Sequence, residues 1–510
     1  MRTDPWQKVG RTHHHGIDLP LSAIHTEKSC GIGEYLDLIP LIDWVSDVGF
    51  DTIMLLPLND SGPDPSPYNA LSATALHPIY ISLTALENIA PFQVQIDDLQ
   101  ALTKTKRVEY HTVLEKKETL LREYFTQNYP SYQDHVEAFG ERFPALKTYA
   151  LFKYFKEAYE GRNFSDWPEK ARYFNQTHLK ELLKHHKEEI AYHLFVQYLC
   201  FTQMQTVRAH ARKKNIFLKG DIPILISPDS ADVWAHPEYF DLTYAAGAPP
   251  DQFTPDGQYW GFPIYNWEAI AQDDFAWWRS RLEFASQFYD IYRLDHIIGF
   301  FRIFAIPRGQ PPSKGNFIPS EEWEATAQGR MILEKLLTLS PMLPIGEDLG
   351  FMPEGAAKVL HELGICGTKV LRWECDFKTH TYFPFNTYSP LSMSTVSTHD
   401  STTLSQWWQE SLNEVKGFCQ MMGWEYTPKL TPERRLDILK AVHQSNSLFH
   451  INLIGEYLAL CPELIHQSDD DERINIPGTM NASNWTYRIK ENMEYIQFHS
   501  KIRNFLKSLS

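Results

Sequence analysis

No run of about 18 apolar residues occurs anywhere in the 510-residue sequence, so nothing in it reads as a membrane-spanning helix. The segment from Met1 to Trp6 lacks the apolar core of a secretory signal. Cysteine is scarce. Cys30, Cys200, Cys366, Cys375, Cys419 and Cys461 form no CxxC pair and read as buried free thiols in a reducing compartment, which places the chain in the cytoplasm. There is no GxGxxG and no GxxxxGK[ST], so neither a dinucleotide fingerprint nor a P-loop is present. Positive charge is short as well. The 48 Lys and Arg against 64 Asp and Glu leave a net charge of -16, the wrong sign for a nucleic-acid binder and compatible with a neutral ligand. His13-His14-His15 is not read as a metal cluster, because consecutive residues on a regular element do not point at one ion. It reads as a polar loop ahead of the first strand.

What is present is an ordinary globular composition rich in aromatics, with 14 Trp, suited to ligands that offer C–H faces. Short β-rich segments recur at Gly16–Ile24, Thr52–Leu58, Ile216–Ile224, Asp290–Ile297, Leu343–Leu349, Thr368–Trp373, Thr395–Thr398 and Arg473–Ile476. Amphipathic stretches such as Tyr35–Val48 and Glu189–Lys213 separate most of them; in the latter Ala191, Leu194, Phe195, Tyr198 and Leu199 repeat at helical spacing. Strands alternating with helices predict a parallel sheet, and eight of them predict an α/β fold of the (β/α)8 TIM-barrel type, with chemistry on the loops that follow the strands. Residues 87–185 are charged, contain only Gly140 and Gly161, and predict a helical insertion between strands two and three. Too little chain follows Thr479 for a C-terminal β-sandwich; a final helix over Asn484–Leu506 is expected instead. Residues 1–510 then form a single catalytic barrel.

Three acidic residues fall at predicted strand ends. Asp295 lies in Tyr292-Arg293-Leu294-Asp295-His296, Glu347 in Pro344-Ile345-Gly346-Glu347-Asp348, and Asp400 in Ser397-Thr398-His399-Asp400. On a parallel barrel those ends converge on one mouth. Three converging carboxyls are costly unless the reaction uses them, and glycoside chemistry does. One carboxylate attacks the anomeric carbon, a protonated carboxyl gives its proton to the leaving oxygen, and a third stabilises the positive charge that develops. Arg293 is expected to hold Asp295 ionised, and neighbouring acids such as Asp348 to raise the pKa of Glu347. Taken singly, Asp295 fits a structural ion pair with Arg293, Glu347 a helix-start carboxylate and Asp400 an N-cap before Thr402–Trp408. Residues 247–263 form a long Gly/Pro-rich loop carrying Phe253, Tyr259 and Trp260, read as an active-site loop that stacks on sugars and excludes water. Tyr68 in Ser66-Pro67-Tyr68-Asn69 offers another aromatic at the same mouth.

The sequence resembles the 4-α-glucanotransferases called amylomaltase or disproportionating enzyme, glycoside hydrolase family 77. The resemblance runs through Gly31-Ile32-Gly33-Glu34, Leu55-Leu56-Pro57-Leu58, Ser66-Pro67-Tyr68 and His77-Pro78-Ile79-Tyr80-Ile81-Ser82. It continues through Gly220-Asp221-Ile222-Pro223-Ile224, Asp229-Ser230-Ala231-Asp232-Val233-Trp234, Gly247-Ala248-Pro249-Pro250-Asp251 and Gly257-Gln258-Tyr259-Trp260-Gly261. Gly367-Thr368-Lys369-Val370-Leu371, Pro477-Gly478-Thr479 and Asn484-Trp485 complete it. It implies retaining, double-displacement transfer of α-1,4-glucan segments, with maltose, maltooligosaccharides or glycogen as partners and no metal or organic cofactor. By matching motif, Asp295 is implied as nucleophile, Glu347 as acid/base and Asp400 as transition-state stabiliser, with sugar contacts from Tyr68, Asp251, Trp260, Arg293, His399 and Asn484. The usual His-Phe-Arg-Gly after the nucleophile is here His296-Ile297-Ile298-Gly299, without the second Arg. Phe300 to Pro307 looks closer to the cytosolic plant-type enzymes, which use maltose as donor and a branched glucan as acceptor. The same chemistry with water as acceptor, an α-glucan hydrolase, is the near alternative, and a non-catalytic glucan-binding barrel the remote one.

Overall fold

Eight strands of four to six residues supply the frame: β1 (His14–Leu19), β2 (Thr52–Leu55), β3 (Phe217–Ile222), β4 (Ile291–Leu294), β5 (Leu343–Gly346), β6 (Gly367–Val370), β7 (Ser392–Thr395) and β8 (Phe449–Leu453). The computed structural model describes residues 4–173, 176–250 and 255–510. Neighbouring strands are parallel, in the order β5-β4-β3-β2-β1-β8-β7-β6. A bridge between Ile345 and Cys366 brings the two edges together, with Gly346 N–H donating to the Cys366 carbonyl at 2.7 Å. The fold is the expected (β/α)8 barrel. Its strands are covered on both faces, and most of their residues, polar ones included, are buried. Inside the ring Met54, Ile291, Leu343, Ile345, Met393, Phe449 and Ile451 pack together, and Trp6 and Val9 of the N-terminal segment join them. Trp6 donates its indole N–H to the Gly364 carbonyl at 2.9 Å.

Between β2 and β3 lie the helices Tyr110–Arg142 and Pro144–Ala158, both packed on the long helix Lys187–Lys213 that leads into β3. The first is anchored by a buried ion pair. Lys117 Nζ lies 2.5 Å from Glu34 and also donates to the carbonyls of Ile79 and Ile81, so one ammonium ties this helix to the loops after β1 and β2.

Four expectations are corrected. The eighth strand is Phe449–Leu453, not Arg473–Ile476, which is irregular. Its alternate residues His450 and Asn452 are polar yet fully buried, satisfied by Ser394, Ser445 and the Val396 N–H, so its hydrophobic signal is diluted. The seventh strand lies three residues earlier than expected, at Ser392–Thr395. The final helix is two short ones, Met493–Phe498 and Ser500–Lys507, capped by Asn492 and His499, and residues 484–492 are irregular. The histidine run is not a loop: His14 starts β1 and faces Asp51, while His13 and His15 stack on His450 and His443 at the N-terminal end of the barrel.

Both described sides of the 247–263 stretch carry strand. Tyr244–Ala248 and Gln258–Tyr259 pair antiparallel, with Ala248 opposite Gln258, and belong to a four-stranded sheet with Ile303–Pro307 and Asn316–Ile318. Asp251 and Phe253 lie outside the described residues. All six cysteines are free and buried, and among the described residues no helix is long and apolar enough to cross a membrane.

Candidate active site

The register of β3, β4 and β5 builds the centre. Asp221 pairs with Arg293 across β3 and β4, and Ile345 pairs with Arg293 across β4 and β5. Arg293 is nearly buried, and its Nη1 lies 2.8 Å from Asp221 Oδ2 and 2.8 Å from Asp295 Oδ1. Its Nη2 lies 3.8 Å from Glu347. Tyr68 donates its hydroxyl to the same Asp221 at 2.8 Å. One guanidinium thus serves three acids, and the acid it grips most fully, Asp221, was not among the sequence candidates. The signal for it was the Gly220-Asp221-Ile222-Pro223 stretch, an acid near the end of a buried strand.

Burial pushes Asp295 up from the ordinary aspartate value; Arg293 opposes this and Asp221 adds to it. Arg293 does favour the ionised form, as expected, but desolvation, which the expectation left out, is the larger influence. Burial pushes Glu347 up to about 8, against the pull of Arg293 and with a push from Asp295. Asp348, expected to be the tuning neighbour, contributes less and is engaged elsewhere, with its Oδ1 accepting the Thr368 N–H at 2.6 Å. Glu347 is not at a helix start, since the next helix begins at Ala356. Its two oxygens accept backbone N–H groups from His296 at 2.9 Å and Leu349 at 3.2 Å, which fix the carboxyl plane.

Asp400 sits half exposed at the rim, with Oδ1 accepting from Asn475 at 2.7 Å and Oδ2 3.5 Å from His399 Nε2. Burial works to raise it, but His399 and Asn475 prevail and hold it down at about 2, while His399 is raised mainly by the charge of Asp400. Asp400 is not an N-cap; Thr403 caps the helix Leu404–Glu410 in a box with Gln406.

The aromatic contributions differ in kind. The Tyr68 ring stacks on His399 with centroids 5.3 Å apart, and Trp485 lies 5.6 Å from Tyr68 and 5.7 Å from His399. Trp260 stands edge-on to His296 at 5.1 Å and donates its indole N–H to Gln258. Asn484 is otherwise engaged: it accepts the Ile476 N–H and donates to Thr479, shaping the 476–479 turn. Trp485, at φ 63, sets its ring beside Tyr68 and His399. One layer below, Asp18 and Lys219 flank Met54 in register, both fully sequestered; burial moves Asp18 up to about 6 and Lys219 down to about 7.

A family model described as 4-alpha-glucanotransferase matches residues 19–494. The chain belongs to the 4-alpha-glucanotransferase family. It is 43% identical to the 4-alpha-glucanotransferase of Chlamydia pneumoniae, over 99% of this chain and 96% of that protein. It is 26% identical to the 4-alpha-glucanotransferase DPE2 of Oryza sativa, over its full length and 70% of the rice protein. Among solved structures, the amylomaltase from Streptococcus agalactiae in complex with acarbose superposes with a TM-score of 0.82 at 25% identity, covering 98% of both chains. The chain is therefore an enzyme of the glucanotransferase class, acting on α-1,4-glucans.

Proposed function

We propose that this 4-alpha-glucanotransferase works by retaining double displacement, with Asp295 as nucleophile, Glu347 as acid/base and Asp400 as stabiliser of the transition state. The observation that carries the reading is the shared cation. Arg293 lies 2.8 Å from Asp295 but 3.8 Å from Glu347, so it favours the ionised form of the first more than of the second. The pair ionises in that order, leaving Asp295 as a carboxylate while Glu347 keeps its proton at neutral pH.

In the first step an Asp295 oxygen attacks the anomeric carbon as Glu347 gives its proton to the departing glycosidic oxygen. A covalent glycosyl ester forms and the shortened glucan leaves. In the second step an acceptor hydroxyl attacks the same carbon, its proton returns to Glu347 and the Asp295 carboxylate is released. Two inversions retain the anomeric configuration. Asp400 supplies negative charge as the ring turns cationic.

Tyr68, Trp260, Arg293, His399, Asp251 and Asn484 are assigned to sugar contact, and Asn484 also shapes the turn that precedes Trp485. Maltooligosaccharides, maltose and glycogen are the donors and acceptors of this reading, and the six unbonded cysteines suit a cytoplasmic location. Incubation with maltotriose alone tests it. A ladder of longer maltooligosaccharides is expected; glucose and maltose without longer products would assign a hydrolase.

A further inference from the structure

A second concave site lies apart from the carboxylates. A cavity of about 730 Å3 opens between the loop after β1 (residues 25–29), residues 100–106 and the C-terminal segment 488–495. None of Arg293, Asp295, Glu347 and Asp400 lines it. Its wall includes Arg488, His25, His466, Lys104 and Lys490. Glu27 and Glu491 also line it, and Glu491 lies 3.7 Å from Lys490. Lys104 forms no ion pair among the described residues.

Arg488 makes this more than a basic surface. It is 2% exposed, and its Nη2 donates to the Gly31 carbonyl at 2.7 Å and to that of Leu102 at 3.5 Å. Nε and Nη1 are buried and have no partner. No carboxylate is in salt-bridge contact with it; burial pushes it down to about 10, opposed in part by the charge of Glu109. A buried cation without a counter-ion is costly to a fold and is relieved by an anion. His25 donates Nε2–H to the Ile489 carbonyl, and its low pKa, about 4, arises from burial and then from the Arg488 charge. Glu27 and Glu491 share the wall, but neither is in salt-bridge contact with Arg488 or His25.

We propose that this cavity binds a small phosphorylated sugar, with Arg488 meeting the phosphate and Lys104 completing its charge. A guanidinium with unused N–H groups suits a doubly charged, multi-acceptor oxyanion. The volume exceeds the needs of inorganic phosphate and falls in the range of small-molecule sites. The half-exposed Tyr495 ring, also on the wall, offers a face for the sugar C–H groups.

Isothermal titration calorimetry on the full chain tests this with ribose 5-phosphate, ribose and inorganic phosphate, probes that are not α-glucan donors. Ribose 5-phosphate is expected to bind more tightly than inorganic phosphate, and ribose not to bind. Arg488→Met is expected to weaken binding at least 10-fold and Lys104→Ala about 3-fold, by loss of one charged contact each. Lys104→Ala is at an exposed position and decides the matter if Arg488→Met fails to fold; its maltotriose ladder without added phosphate stays that of the wild type. Absence of binding, equal affinity in Lys104→Ala and wild type, or ribose binding as well as its phosphate overturns the proposal. Equal affinity for inorganic phosphate overturns the assignment to a sugar-sized ligand.

Discussion

The backbone N–H of His296 donates to Oε2 of Glu347 at 2.9 Å. The residue that follows Asp295 thus holds the carboxyl assigned to proton transfer, and it does so from a left-handed backbone, φ 41. That conformation costs roughly 1–3 kcal/mol in a non-glycine residue and persists only where surrounding contacts impose it. The Ile297 N–H, which donates to the Glu347 carbonyl at 3.0 Å, is a second such contact. Asp295 and Glu347 are therefore positioned as a unit.

Asp295→Asn is expected to lower kcat for maltotriose disproportionation by roughly 10^3-fold or more, because the attacking oxygen loses its charge. Glu347→Gln should cost a comparable factor with maltotriose and recover with an α-glucosyl fluoride donor, whose leaving group needs no proton. If the fluoride gives no recovery, Glu347 is not the acid.

The rate should fall on the alkaline side as Glu347 loses its proton near pH 8, the value to which burial lifts it. A pH profile of kcat/KM checks this, and Asp348→Asn should displace that limb only slightly. Stability follows with a definite sign. The folded pKa of Glu347 lies above its unfolded value, so its contribution is complete below about pH 4.5 and is lost as pH rises through about 8. Glu347→Gln should therefore gain in Tm relative to wild type between pH 5 and 9. Asp400, lowered to about 2, has the opposite sign: its contribution is present above its ordinary value and fades as pH falls through about 2.

Lys117→Met should destabilise the fold by about 3–5 kcal/mol, since it leaves Glu34 buried without its cation. The double variant Lys117→Met with Glu34→Leu should recover most of that loss. Urea unfolding of the set provides the measurement, and an additive double variant would contradict the pairing.

Trp485→Ala removes the ring beside both Tyr68 and His399 and should lower kcat/KM about 10-fold, mainly through KM, on the scale of two aromatic contacts. Asn484→Ala should act more through Tm, because its side chain is spent on the 476–479 turn.

The legibility of the sequence was uneven for physical reasons. Asp295 and Glu347 could be found because each directly follows a short strand whose signal is local, Ile291–Leu294 and Leu343–Gly346. β8 could not, because His450 and Asn452 break its apolar run and are satisfied by partners distant in sequence, among them Ser394 and Val396. The same distance effect hid Asp221, whose importance appears only when β3 and β4 lie side by side. The stack of Tyr68, His399 and Trp485 joins three segments, so Trp485 comes to the site only through the fold. Ile298, where the family pattern carries an Arg, is buried below Gly350, so an apolar side chain fills that wall.

The meeting of β5 and β6 has a consequence for the proton-transferring group. There the ring closes through a single bridge, one hydrogen bond from Gly346 and one from the Thr368 hydroxyl to the Gly346 carbonyl at 2.9 Å. Asp348 spans the same join through the Thr368 N–H, and Gly367 leaves it room, since a Cβ there would come within 2.3 Å of its carboxylate. The neighbour of Glu347 is thus the latch of the barrel. Loosening it is expected to shift β5, the strand that leads to the acid, while leaving Tyr68 and Trp485 in place, so damage at this join should surface as slower turnover at undiminished affinity.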